Sequence, residues 1–339
     1  MPFSKKDHRN EKLQQVDGSK GSSPAFPFFR TGASGKNIGD LIFENITRFF
    51  AFILLSLVLI MLFEMLRKSI PSIDKFGWGF ITSQEWDPVH DNFGALPFIF
   101  GTLYSSLIAL IIALPLSVGI AIFLSEFAPK WLEQPMSLLV ELLAAIPSIV
   151  YGLFGIFVMT PWLRKVVEPF LGDHLGFIFL FKGPPYGLGM LAAALILTIM
   201  ILPIITSISR DIMKSIPETQ REAAFALGAT KWEVVKVVLT GAKSGILGAT
   251  LLGLGRAVGE TMAVTMVIGN RPDISFSLFD PGHTMASVLA NEFTEATSDL
   301  YVSSLIEIAL LLFVMTMILN AIARLIVWSV TKKYNRAEL

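Results

Sequence analysis

The sequence predicts an all-α integral membrane protein with six transmembrane helices. The first observation behind this is apolar content. Hydrophobic residues make up 53% of the 339-residue chain, and the 26 glycines raise the figure to about 61%, against roughly 45–50% in soluble domains. The second is a set of six long runs poor in charge, each near the roughly 20 apolar residues that cross a bilayer core. The third is a lopsided placement of Lys and Arg between alternate loops.

The elements follow in chain order. Residues 1–44 are polar, rich in Ser, Gly and Lys, and read as a cytoplasmic tail. No short apolar stretch near the start suggests a signal peptide. The first helix is expected over 45–66, with the charge-free centre Phe49–Phe63. A loop over 67–97 carries Phe76, Trp78, Phe80 and Trp86, which suits either an aromatic interface segment or a docking surface for an external partner. Residues 98–330 then form one transmembrane domain, followed by a cytoplasmic tail over 331–339.

The second span lies within Asn92–Ser125, 34 residues without Asp, Glu, Lys or Arg. As a helix that run would measure about 50 Å, more than the hydrocarbon core, and Pro115 is expected to bend it. The third span is expected over Pro135–Pro161, with Pro147 a possible break. The fourth covers about Gly187–Ser209, the fifth about Ser244–Asn270 and the sixth about Ser303–Val330.

Six spans put both ends on one side. Residues 1–48 carry eight Lys/Arg, the loop near 130 one, segment 210–243 six and the tail from Arg324 four. The opposite loops carry Arg67, Lys68, Lys75, Arg164, Lys165, Lys182 and Arg271. The excess places both termini in the cytoplasm.

Several chemistries are excluded. The chain has no cysteine, so disulfides and thiolate chemistry are absent. Its 27 basic and 27 acidic residues cancel, which argues against a nucleic-acid partner. His8, His90, His174 and His283 lack ligand spacing, so no metal site is expected. Gly32–Lys36 reads GASGK, but the phosphate-loop spacing is missing and Asn37 follows the lysine. ATP hydrolysis is therefore not expected of this chain.

Two segments stand out. From Ser215 to Leu239 the chain reads SIPETQREAAFALGATKWEVVKVVL. Ser215 and Glu218 have capping-box spacing with Pro217 in the first turn. A helix to about Leu227 should end at Gly228 in a left-handed turn. Thr230 and Glu233 open a second helix that leads toward the fifth span. The fifth span itself carries Arg256 and Glu260, four apart and so expected on one helix face. An arginine at mid-membrane costs roughly 2.5–3.5 kcal/mol on insertion scales, and pairing reduces that cost. The pair reads either as a structural ion pair or as the lining of a polar path. A guanidinium suits an anionic oxyacid, because its planar fork grips two oxygens. Gly253, Gly255 and Gly259 allow close helix approach.

Other charges are read more simply. Glu141 is an interface or packing carboxylate, with gating as the alternative. Glu64 and Glu307 lie near span ends and are expected to be solvated. Arg210 and Asp211 should end the fourth span at the interface. Thr102, Ser105 and Ser106 should bond to their own helix backbone.

Glu222, Ala223, Ala224 and Gly228 resemble the EAA-x3-G signature of ABC importer permeases. The closing Leu-Pro of that pattern is Thr240-Gly241 here. GRAVGETMAV followed by IGN, over Gly255–Asn270, is similar to permeases of phosphate-specific ABC importers of the PstC type. Leu96–Phe127 and Glu141–Gly155 extend the resemblance, which covers about 67–330. It implies a type I ABC importer permease fold with a cytoplasmic coupling helix, the coupling loop lying over 215–240. It also implies a second homologous permease subunit, two ATPase subunits that bind ATP and Mg, and a periplasmic phosphate-binding protein. No cofactor is implied for this chain. The expected setting is the bacterial inner membrane and its lipid, and the expected cargo is inorganic phosphate. By carry-over Arg256, Glu260 and Thr261 line the substrate path, and Glu222, Ala223, Ala224 and Gly228 form the coupling loop. Sulfate or molybdate as cargo, a secondary transporter, and a phosphate-signalling scaffold are the competing readings.

Overall fold

A computed structural model describes residues 38–335. The tail expected over 1–44 thus lies outside the described residues as far as 37, and so does the end of the tail expected over 331–339. By compactness the chain divides into Met1–Leu57 and Val58–Leu339. In the first unit, the described residues are the opening half of helix α1 (Ile38–Phe76). They present Phe43, Phe49, Phe50, Phe52 and Leu54 to the surroundings, and Arg48 pairs with Glu44 one turn away.

The second unit begins within α1 and holds the other elements. A helical turn at Gly79–Thr82 leads to a hairpin of β1 (Trp86–Asp87) and β2 (Asn92–Phe93), with Trp86 opposite Phe93. The helices α2 (Leu96–Ile122), α3 (Lys130–Ala145), α4 (Ser148–Leu175), α5 (Met190–Ser215), α6 (Glu218–Ala226), α7 (Lys231–Val258), α8 (Met262–Val267), α9 (Met285–Glu292) and α10 (Asp299–Asn335) follow. Among the described residues, α1, α2, α4, α5, α7 and α10 are long and apolar enough to cross a membrane.

The first helix is longer than the expected 45–66, and the expected loop over 67–97 shrinks accordingly. The charges Arg67 and Lys68 do not stop it, because they lie on its exposed face while Ser69 and Ser72 are buried. Nor does Pro71. Near that proline the Ser72 N–H donates to Ser303 Oγ at 3.1 Å, and Ser303 Oγ donates onward to the Lys68 carbonyl at 2.9 Å. A hydroxyl from α10 therefore links the Ser72 N–H to the Lys68 carbonyl in the turn beside Pro71.

The third span also differs from the expected Pro135–Pro161. Ile146 is extended at φ −65°, ψ 130°, the conformation that a following proline favours. The helix stops there and restarts at Ser148. Tyr151 Oη donates to the Leu143 carbonyl at 2.6 Å and so satisfies an end group of α3. The membrane-length segment is Ser148–Leu175, and it contains Arg164 and Lys165, which the sequence suggests lie in a loop.

The core centres on α5. Met190, Ile196, Leu197, Ile201 and Ile205 are buried. Gly253 and Gly245 of α7 admit Ile205 and Ile212 of α5, for a Cβ at either glycine would lie under 3.0 Å from those side chains. Polar bonds join α5 to α2: Thr198 Oγ1 donates to the Ala109 carbonyl at 3.3 Å and Ser117 Oγ to the Leu202 carbonyl at 3.2 Å. Small residues and hydroxyl bonds are the usual cohesion of helices in lipid, where burial from water supplies no drive.

A second core holds the hairpin. Trp86, Phe93 and Tyr301 pack together, and Glu292 accepts from Trp86 Nε1 at 2.7 Å and from Tyr301 Oη at 2.6 Å. Burial raises the Glu292 carboxyl above its ordinary range, against the two donors. Replacing it by leucine leaves both donors buried without an acceptor, a cost of about 1–3 kcal/mol for each. Glu292→Leu should therefore lower the thermal unfolding midpoint of the purified protein, and Glu292→Gln should lower it less. Equal midpoints for all three proteins would contradict this role.

Candidate translocation segment and coupling loop

Helix α7 ends at Val258, with Gly259 at φ −91°, ψ 2°. Glu260 and Thr261 follow outside any helix before the short α8 begins at Met262. The i, i+4 geometry expected of Arg256 and Glu260 therefore fails, because it requires the helix to continue. The two side chains diverge. Glu260 is 7% exposed, and its Oε1 accepts from the Ala263 N–H at 3.2 Å, satisfying a free donor in the first turn of α8. Thr261 is half-buried, and its hydroxyl reaches the Gly259 carbonyl at 3.4 Å.

Arg256 is exposed on the last turn of α7. Among the described residues no carboxylate lies within 4.0 Å of its guanidinium. Tyr151 is near enough to feel its charge. Leu252, Gly255, Gly259 and Met262 are exposed beside it, so a basic side chain stands on an otherwise apolar, small-residue face.

The segment between α5 and α7 is built by a glycine turn and one capping box. Ser215 bonds back to the Ile212 carbonyl at 2.7 Å instead of capping α6, whose N-cap is Pro217. The capping box expected from Ser215 and Glu218 is absent because Ile216, before the proline, is extended and ends α5. Gly228 has φ +84°, and its N–H donates to the Phe225 carbonyl at 2.9 Å. Thr230 and Glu233 form the expected capping box of α7. Glu222, Ala223 and Gly228 are exposed and Ala224 is half-buried. Phe225 is also exposed, and Leu227 stands 90% exposed at the tip.

Three features escape a reading of the sequence. Glu307 is buried, not solvated, and its Oε2 has no partner among the described residues. His283 is buried with both ring nitrogens unpartnered, edge-on to Phe98, and burial pushes its pKa down to about 4, which keeps it neutral. Arg221 is the buried residue of α6 and pairs with Glu126, 95 positions earlier. The Glu126 carboxylate holds the Arg221 guanidinium in its charged form. Arg210 is also buried, joining Asp211 at 2.8 Å and Glu141 at 3.2 Å, so Glu141 fastens α3 to α5. Thr102, Ser105 and Ser106 bond within their helix as expected.

Six membrane-length helices among the described residues, with an exposed, glycine-turned helix between the fourth and the fifth, define a membrane protein. The family model described as "Binding-protein-dependent transport system inner membrane component" matches residues 117–332. The "Phosphate transport system permease protein PstC" of Mesorhizobium japonicum is 48% identical over 84% of this chain and 89% of its own length. Its namesake in Pasteurella multocida is 44% identical over 90% of this chain and 97% of its own length. An inward-facing structure of the MetNI methionine ABC transporter is similar at 20% identity and a TM-score of 0.49, over 68% of this chain and 91% of that one. The chain belongs to the family of inner-membrane components of binding-protein-dependent transport systems, within its PstC-type permeases.

A Cβ at Gly228 would meet nothing within 4 Å, so only its backbone conformation resists substitution. A β-branched residue there should cost about 1–2 kcal/mol, whereas asparagine enters the left-handed region more readily. Gly228→Val should accelerate limited proteolysis in the α6–α7 turn, and Gly228→Asn should stay near wild type. Equal cleavage rates would contradict the account of this turn.

Proposed function

We propose that this chain is the phosphate-translocating permease of an ATP-driven importer, and that Arg256 lines the path. The observation that carries the reading is the exposure of Arg256 on a membrane-length helix with no carboxylate partner among the described residues. Facing lipid, such a charge is costly. Covered by a second permease, the same face becomes one wall of a polar path. The neighbouring glycines let the partner helix approach closely.

The cargo assignment rests on the PstC relatives, whose names specify phosphate, and on chemistry. A planar guanidinium donates in pairs to a tetrahedral oxyanion. Glu260 fixes the break after α7 and Thr261 offers a hydroxyl there, so both shape the path beside Arg256. The competing oxyanions would meet the same fork, which makes cargo a matter for experiment.

In this reading two ATPase subunits, carrying ATP and Mg, dock on the exposed loop through Glu222, Ala223, Ala224 and Gly228. A second homologous permease completes the path, and a phosphate-binding protein delivers the anion from the periplasm. The chain lies in the bacterial inner membrane with both termini in the cytoplasm.

Uptake of radiolabelled phosphate and sulfate at low external substrate, in cells lacking the native gene, tests this. Wild-type chain should restore phosphate uptake and leave sulfate uptake unchanged. Arg256→Ala should lower phosphate uptake about 10- to 100-fold, the worth of one charge-assisted hydrogen-bonding group, with the ATPases still copurifying. Arg256→Lys should fall between the two. Normal uptake by Arg256→Ala would remove Arg256 from the path.

A further inference from the structure

Arg221 stands immediately before Glu222, and it faces the opposite way, into the bundle. A guanidinium has five N–H donors, and here five contacts engage them. Nε donates to Glu126 Oε2 at 3.2 Å, and Nη2 to Glu126 Oε1 at 3.0 Å and to the Met213 carbonyl at 2.8 Å. Nη1 donates to the Ile216 carbonyl at 2.7 Å and to Glu218 Oε2 at 3.3 Å. The acceptors come from three places: the π-helical turn Phe123–Phe127 that ends α2, the last turn and exit of α5, and α6 itself. Both members of the Arg221–Glu126 pair are sheltered, with side chains 11% and 10% exposed.

Apart from Arg221, every described residue of α6 is exposed or half-buried. A cavity of about 310 Å³ opens beside it, lined in part by Lys214, Glu218, Phe225 and Lys231. The helix is thus held by its two chain connections and by one buried side chain. A force applied to its exposed face reaches the bundle through Arg221 as well as along the chain. From α5 it continues to α7, because Gly245 and Gly253 hold Ile212 and Ile205 in contact. Arg256 lies one turn beyond Gly253.

We propose that Arg221, with Glu126, is the positioning residue that locks α6 to the ends of α2 and α5, so that movement of a docked ATPase becomes movement of the path. This rests on the ATP-driven reading above. A bidentate, sheltered pair suits such a joint. Lysine lacks the planar fork and cannot meet all these acceptors at once.

The test uses the complete complex with its partner permease, ATPases and binding protein, reconstituted in vesicles. ATP hydrolysed and phosphate imported are measured on the same sample. Arg221→Lys and Glu126→Gln complexes, matched for bound ATPase, should import roughly threefold less phosphate per ATP, or lower still. The double variant should be no worse than either single one, because the residues act as one unit. A role in folding alone would lower both rates in proportion and leave the ratio unchanged. A wild-type ratio in either variant overturns the proposal. A wild-type complex without ATP-dependent uptake overturns the transport reading itself.

Should the variants fail to assemble, the otherwise wild-type chain serves, since it has no native cysteine. Spin labels at Thr219→Cys on α6 and Phe127→Cys at the end of α2 should give one distance distribution, with and without trapped ATP. A shift between the two states would mean that α6 moves independently, and would overturn the joint.

Discussion

Within a bilayer, a backbone polar group finds its partner inside the protein or goes without. That constraint explains how this chain can interrupt its helices so often. Each interruption is repaired from a neighbour. Ser303 of α10 links two backbone groups in the turn beside Pro71, and Tyr151 donates to α3 where Pro147 stops it. The connection between α8 and α9 is irregular yet tied to the bundle by backbone bonds: Gly282 N–H donates to the Ile268 carbonyl at 2.9 Å and Leu191 N–H to the Leu278 carbonyl at 2.7 Å. Glu260 does the same for α8. Its carboxylate is structural in this sense, and it leaves Arg256 without a carboxylate partner among the described residues.

That division of labour connects fold to function. A guanidinium already neutralised by Glu260 would offer an incoming anion little. An exposed one keeps its hydrogen-bonding capacity for a ligand. The same logic runs in reverse at the other end of the bundle. Arg221 is spent entirely on protein acceptors and Arg210 largely so. Both fasten elements together. The three arginines thus differ in how many of their donors the described residues engage.

Much of the fold was legible in the sequence, because long charge-free runs have few readings other than membrane spans. The turn at Gly228 and the cap at Thr230 and Glu233 were legible too, as local signals within a few residues. What escaped reading shares a cause. The Arg256–Glu260 pair was inferred from helical periodicity, and Gly259 ends that periodicity between them. Glu307 looked solvated from its place in a span, but Ser72 of α1, which lies beside it, is far away in the sequence and invisible to a local window. The Arg221–Glu126 joint spans 95 positions, and only its arginine had a neighbour, the EAA run, that could have drawn attention to it.

In the proposed permease the Arg256 face lines a water-filled path and not lipid. The direct measurement is reactivity of Arg256→Cys, the sole cysteine, toward a small charged thiol reagent in the assembled complex in membranes. A thiol in a path ionises and reacts, and phosphate or trapped ATP should change its rate. A thiol facing hydrocarbon does not ionise. Reaction that depends on the state of the complex is the predicted result. A thiol inert in every state of a complex that contains all its subunits would contradict the account.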